Sequence, residues 1–227
     1  DRGLADLVAS GAPVVTIVGK TWDEQVTRAL LTTLDENLRM IRETIAFLKS
    51  KGKEVIFDAE HFFDGYKSNP DYALQALAAA VAGGADNLAL CDTNGGSFPD
   101  EIFAITRTVV ERFPGVSVGI HCHNDCELAV ANSVRAVQAG ATQVQGTING
   151  IGERCGNASL TTLIPTLLLK EPYRSGLDIG VTVEGVVNLT RISRRLDEIL
   201  NRAPLRGAPY VGTSAFAHKA GLHAKIG

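Results

Sequence analysis

Val116-Ser117-Val118-Gly119-Ile120-His121-Cys122-His123-Asn124-Asp125 is a short apolar run that ends in a cluster of polar side chains. The run has the β-branched content and glycine-flanked length of a buried strand. Side chains alternate faces along a strand, so His121 and His123 share one side, about 7 Å apart, while Ile120 and Cys122 face the other way. Two imidazoles at that separation can share one metal ion, and the same spacing also suits a pair of structural histidines.

Other strands carry the same signature. Val14 to Gly19, Glu54 to Glu60, Asn87 to Cys91 and Thr142 to Ile148 read as strands, each bounded by Gly, Pro or Asn. Between them lie helical patterns over Asp35 to Lys51, Pro70 to Ala82, Pro99 to Arg112 and Cys126 to Ala139. Pro70 and Pro99 suit first-turn positions, and Gly52, Gly83 and Gly140 are expected as C-caps. Strand–helix alternation implies an α/β fold with a parallel sheet, either doubly wound or a (β/α)8 TIM barrel.

Polar residues at the strand ends favour the barrel. Asp58, Glu60 and His61 follow one strand, and Asp92, Thr93 and Asn94 the next. After these come His121, His123, Asn124 and Asp125, then Thr147, Asn149, Glu153, Arg154 and Asn157. A barrel gathers such carboxyl ends into one ring, whereas an open sheet concentrates its site at a single switch point. Each residue also has a plainer reading. Glu60 could be a carboxylate paired to a lysine, Asp92 to Gly96 an ordinary turn, Asn157 or Ser159 a helix N-cap, and His61 a structural histidine.

Composition sets the class. The 227 residues are 45% hydrophobic and 21% charged, enough for a sizeable core. A net charge of -3 gives no basic field for nucleic acid or an anionic membrane surface. No apolar run approaches the roughly 18 residues of a membrane span, and no signal peptide appears. Cys91, Cys122, Cys126 and Cys155 form no CxxC pair, which suits a reduced, cytoplasmic protein. The cysteines are most simply small core residues, and Cys155, in a loop, is the one to test for reactivity. Asp1 opens on helix-like sequence without an initiator Met, so a piece is expected to be missing upstream. Val183 to Leu200 reads as one charged amphipathic helix, and Ala203 to Gly212 as a connector.

Three ordered motifs carry a resemblance: His121 to Asp125, Gly150 to Ala158, and Ser214 to His223. Together they resemble the 2-isopropylmalate, homocitrate and citramalate synthase family of metal-dependent TIM-barrel Claisen enzymes. Phe57 to Lys67 and Leu90 to Gly96 look most similar to the citramalate synthase branch. The resemblance implies that His121, His123 and Asn157 hold a divalent metal (Mg²⁺, Mn²⁺ or Zn²⁺). It further implies that Thr93 and Asn94 bind substrate and that Glu60, Glu153 and His218 act in catalysis. The implied reaction joins acetyl-CoA to a 2-oxo acid, with pyruvate giving (R)-citramalate for isoleucine and leucine biosynthesis. 2-Isopropylmalate synthase, homocitrate synthase and a hydroxymethylglutaryl-CoA lyase-like retro-aldol enzyme remain as alternatives.

The family's first-strand Asp and Arg have no counterpart in this sequence. Val14 to Gly19 matches the fourth barrel strand, so residues 1–180 are expected to be the last five strand–helix units. Residues 181–227 are expected to form a helical connector subdomain that places His218 over the active site of a partner in a homodimer. No regulatory segment for leucine or isoleucine is expected within these residues.

Overall fold

The computed structural model describes residues 2–218, and these fall into two compact units, the first ending at Gln145 and the second beginning at Gly146. The first unit alternates strands and helices. Helix α1 (Arg2–Ala9) is followed by β1 (Val14–Lys20), α2 (Asp23–Arg28) and α3 (Leu34–Ser50), then β2 (Glu54–Glu60), α4 (Phe62–Ser68) and α5 (Pro70–Gly83). Next come β3 (Asn87–Asp92), α6 (Pro99–Arg112), β4 (Ser117–Cys122), α7 (Ala129–Ala139) and β5 (Gln143–Gln145). Among the described residues the strands form one all-parallel sheet in the order β1-β2-β3-β4-β5. A doubly wound sheet reverses its strand order at a switch point, whereas consecutive order is what a barrel requires.

The helices form where the sequence patterns place them. Along α3, Asn37, Ile41, Ile45 and Leu48 are buried at helical spacing. The Asn37 amide donates to Lys20 O (2.9 Å) and to the Tyr72 hydroxyl (2.8 Å), locking α3 to β1 and α5. In β2, Val55, Phe57 and Ala59 are buried toward the helices, while Ile56, Asp58 and Glu60 face the other side. Fully buried Phe57, Phe62, Phe63, Leu77, Leu88 and Leu90 supply the core, each worth about 2 kcal/mol of transfer free energy.

Three expectations need correction. The αL cap of α5 is Gly84 (φ 92°), not Gly83, which is buried inside the helix against Arg42 O and Ile45. Strand β5 has three residues because Thr147, two residues on and already in the second unit, gives its N–H to Ala158 O (3.0 Å) and its carbonyl to Leu160 N (2.9 Å). Its backbone groups are thereby taken by the following loop.

In the second unit a 3-10 turn (Ile148–Gly150) precedes α8 (Leu160–Leu169), α9 (Tyr173–Gly176), α10 (Val183–Val186) and α11 (Leu189–Ile199). The single helix expected over Val183 to Leu200 is thus two. The Thr182 hydroxyl caps α10 through Gly185 N, and Asn188 starts α11 afresh, its carbonyl accepting from Ile192 N (2.9 Å).

Candidate active site

The inner face of the first unit's sheet is built by register. Lys20 pairs with Glu60 across β1 and β2, Cys91 with His121 across β3 and β4, and His121 with Gln145 across β4 and β5. Period-two alternation sends these side chains to one side, in a layer at the carboxyl end of the strands. Glu60, Thr93, His121 and His123 stand at or just beyond the carboxyl ends of β2, β3 and β4, all half-buried.

The imidazoles of His121 and His123 stack with ring centroids 5.2 Å apart and planes 25° from parallel. The Gln145 carboxamide oxygen lies 2.8 Å from His121 Nδ1. An amide oxygen only accepts, so this contact puts the imidazole proton on Nδ1 and the lone pair on Nε2, the form a metal ligand needs. Sequence reasoning missed Gln145. Its signal was its place opposite His121 in the register, which requires knowing the strand pairing.

Thr93 accepts from His61 N–H (2.8 Å), which ties the turn after β3 to the end of β2. His61 sits at φ 53°, a left-handed backbone, with Nδ1 3.1 Å from Asp64 Oδ2. The Asn94 amide donates to the same Asp64 oxygen (3.0 Å). The turn that carries Thr93 and Asn94 packs closely under the histidine segment. A Cβ on Gly95 (φ 61°) would lie 2.7 Å from Asp125 Oδ2 and 3.0 Å from the His123 carbonyl carbon. Glycine is therefore required there on two counts, conformation and space.

Asp92, Asn124 and Asn149 serve structure. Asp92 is buried, and its carboxylate accepts from Ser97 N (3.3 Å) and Asn132 Nδ2 (3.4 Å). Asn124 accepts from Ala129 N (3.2 Å) at the start of α7. Asn149 donates to Ser193 O and Asp197 Oδ1, both at 3.1 Å, tying the loop to α11 within the second unit.

Burial is the main cause that pushes the Asp92 carboxyl above the usual range, with the Asp64 charge adding to it. A carboxyl raised in the folded state contributes stability that is complete below its unfolded pKa and is lost as pH rises through the folded one. Asp92→Asn should therefore gain on the parent protein as pH rises from about 4 to about 7. Urea unfolding across that range reads the difference, and a difference independent of pH would contradict it.

Two buried thiols, Cys91 and Cys122, are pushed up by desolvation and stay protonated. Cys91 also donates its thiol hydrogen to the Asp58 carboxylate. Cys155 is exposed, as expected of a loop thiol, and Cys126 is exposed as well.

The remaining predicted residues lie in the second unit. The glycine-rich loop closes on itself, with Asn157 N donating to Gly150 O (2.9 Å) and Gly156 N to Glu153 O (2.9 Å). Asn157 is half-buried, and its Oδ1 is an enclosed acceptor without a hydrogen-bond partner. Neither Asn157 nor Ser159 caps α8 with its side chain. Glu153 is exposed on the loop, with Arg154 at 3.8 Å. His218 is exposed at the end of the described residues, and Lys219 to His223 lie outside them.

Among the described residues no group of three or more His, Cys, Asp and Glu is arranged to hold a metal. Within the first unit, the donors still suit a divalent cation: two imidazoles on one face, one with its Nε2 lone pair set by Gln145.

The HMGL-like family model matches residues 2–194. The chain is 58% identical over 224 residues to the (R)-citramalate synthase of Aquifex aeolicus, covering 99% of this chain and 42% of that protein. With the (R)-citramalate synthase of Synechocystis sp. it shares 53% identity over 231 residues, covering 98% of this chain and 41% of that protein. The chain thus spans about two fifths of the length of these curated relatives. Among solved structures, the HMG-CoA lyase of Bacillus subtilis aligns with a TM-score of 0.76 at 18% identity, over 91% of this chain and 70% of that one. At that identity the likeness speaks for the fold alone.

Proposed function

Since the chain belongs to the HMGL-like family, matched over residues 2–194, we propose that it carries the metal-binding part of a citramalate synthase. The reaction is the condensation of acetyl-CoA with pyruvate to (R)-citramalate. The observation that carries this reading is the stacked His121–His123 pair with Gln145 behind it, in a chain 58% identical to a protein of that name. In this reading residues 1–180 belong to the barrel and 181–227 form a connector that reaches the partner of a cytoplasmic homodimer. Among the described residues no helix is long and apolar enough to cross a membrane.

His121 and His123, with Asn157 Oδ1, would hold a divalent ion (Mg²⁺, Mn²⁺ or Zn²⁺). When bound, it supplies Lewis acidity at the keto oxygen of the 2-oxo acid. Thr93 donates its hydroxyl hydrogen to the substrate carboxylate, and Asn94, held by Asp64, borders the same position. Glu60 and His218 form the proton-transfer system. A proton leaves the acetyl methyl group, the new carbon–carbon bond forms at the keto carbon, and the keto oxygen ends as a hydroxyl. Glu153 orients the water that hydrolyses the thioester and releases CoA. Because the acetyl protons are weakly acidic, the donors facing the developing oxyanion contribute most to the rate.

Substrate size tests the reading. A pocket matched to pyruvate rejects the isopropyl group of 2-oxoisovalerate at about 1–3 kcal/mol per methylene-scale misfit. The ratio of kcat/KM for pyruvate over 2-oxoisovalerate in the complete native protein should therefore exceed about 100. A preference for 2-oxoisovalerate would move the assignment to 2-isopropylmalate synthase.

A further inference from the structure

Lys20 ends β1, directly opposite Glu60 in the β1–β2 register, and its ammonium is hydrogen-bonded to the Glu60 carboxylate. The main chains of both residues are pinned from outside the pair. The Thr21 hydroxyl donates to Glu60 O (2.8 Å), and the Asn37 amide donates to Lys20 O (2.9 Å). With both backbones held, the orientation of the carboxylate is left to its own torsions and to the Lys20 ammonium.

The pair is a poor device for stability. Its side chains are 22% and 28% exposed, and an ion pair so open to water contributes on the order of 0–1 kcal/mol. It is a good device for orientation, because a charge-assisted hydrogen bond holds a flexible carboxylate in one rotamer. On the same face, Asp58 is occupied by the Cys91 thiol, so Glu60 is the carboxylate of β2 that Lys20 engages.

We infer that Lys20 is a positioning residue that sets the Glu60 carboxylate for proton transfer, an inference that rests on the Claisen reading given above. The ammonium does not touch the reacting atoms. It fixes where the Glu60 oxygens stand relative to a substrate lying over the carboxyl ends of the strands.

The test uses the complete native protein and follows CoA release from acetyl-CoA and pyruvate. Lys20→Met should lower kcat by about 10- to 100-fold, the cost of a catalytic group displaced by about 1 Å. KM for both substrates should stay within about threefold, because ground-state binding is not what Lys20 supports. Lys20→Arg, which keeps a cationic donor, should recover kcat to within about threefold of the parent, whereas a merely space-filling role would favour Met over the bulkier Arg. In a Glu60→Gln background the Lys20→Met change should cost less than about threefold, because two residues acting as one unit are not additive.

A Lys20→Met protein with unchanged kcat overturns the inference, as does one whose loss is matched in Lys20→Arg. A full additional loss in the Glu60→Gln background overturns it too, since Lys20 would then act by another route. Should Glu60→Gln leave no measurable rate, the kcat-against-KM split and the arginine rescue decide. An inactive parent protein instead removes the Claisen reading itself, and this inference with it.

Discussion

His121→Ala or His123→Ala, made in the complete native protein, is expected to abolish citramalate formation and divalent-ion binding while leaving the fold intact. The physical ground is ligand number. Two neutral imidazoles and oxygen donors make a site that the loss of one imidazole cannot sustain, because each ligand removed leaves the ion to water. The fold should survive because both side chains are half-buried on the inner face, outside the apolar layer of Val118, Ile120 and Cys122 that β4 packs against the helices. Isothermal titration with Mn²⁺, beside a circular dichroism spectrum, separates the two effects. Unchanged metal affinity in either variant would sink the assignment. Gln145→Leu is a useful companion: it should weaken metal binding by about 10- to 100-fold, because it removes the group that fixes the His121 tautomer.

The 227-residue chain expressed by itself is expected to be poorly soluble or to release no CoA from acetyl-CoA and pyruvate with added Mg²⁺ or Mn²⁺. Among the described residues strand β1 is hydrogen-bonded on one edge, to β2, and its own Val14 and Val18 are 40% and 62% exposed. An open strand edge flanked by exposed apolar side chains templates association with other chains. Among the described residues no group of three or more His, Cys, Asp and Glu is arranged to hold a metal. The complete native protein, by contrast, should show both solubility and turnover. Robust turnover by the bare chain would mean that residues other than those proposed here handle the metal and the carbonyl.

Much of this protein is legible in its sequence because local chemistry decides it. The strand cores announce themselves by apolar runs, α5 and α6 by Pro70 and Pro99 at their first turns, and the inner face by period-two placement of Asp58 with Glu60 and of His121 with His123. The plain turn read at Asp92 to Gly96 and the functional reading of Thr93 are both served by one segment. Its backbone turns as glycine permits, while Thr93 takes its hydrogen bond from His61 at the end of β2. What failed locally failed through competition. Gly84 took the cap expected of Gly83 because Gly83 was needed where α5 approaches Arg42 O. Strand β5 stopped at Gln145 because the following loop claimed Thr147.

The sequence by itself determined the strand–helix alternation and which residues stand at the carboxyl ends, because side-chain periodicity and turn chemistry act over a few residues. Only the tertiary structure decided who partners whom: Gln145 behind His121, Lys20 on Glu60, the Cys91 thiol on Asp58, and Asp92 turned inward as a brace. The first three pairings join residues 24 to 40 positions apart, across neighbouring strands of the sheet. Register is settled by the packing of the whole sheet against its helices, so no local window of sequence contains it.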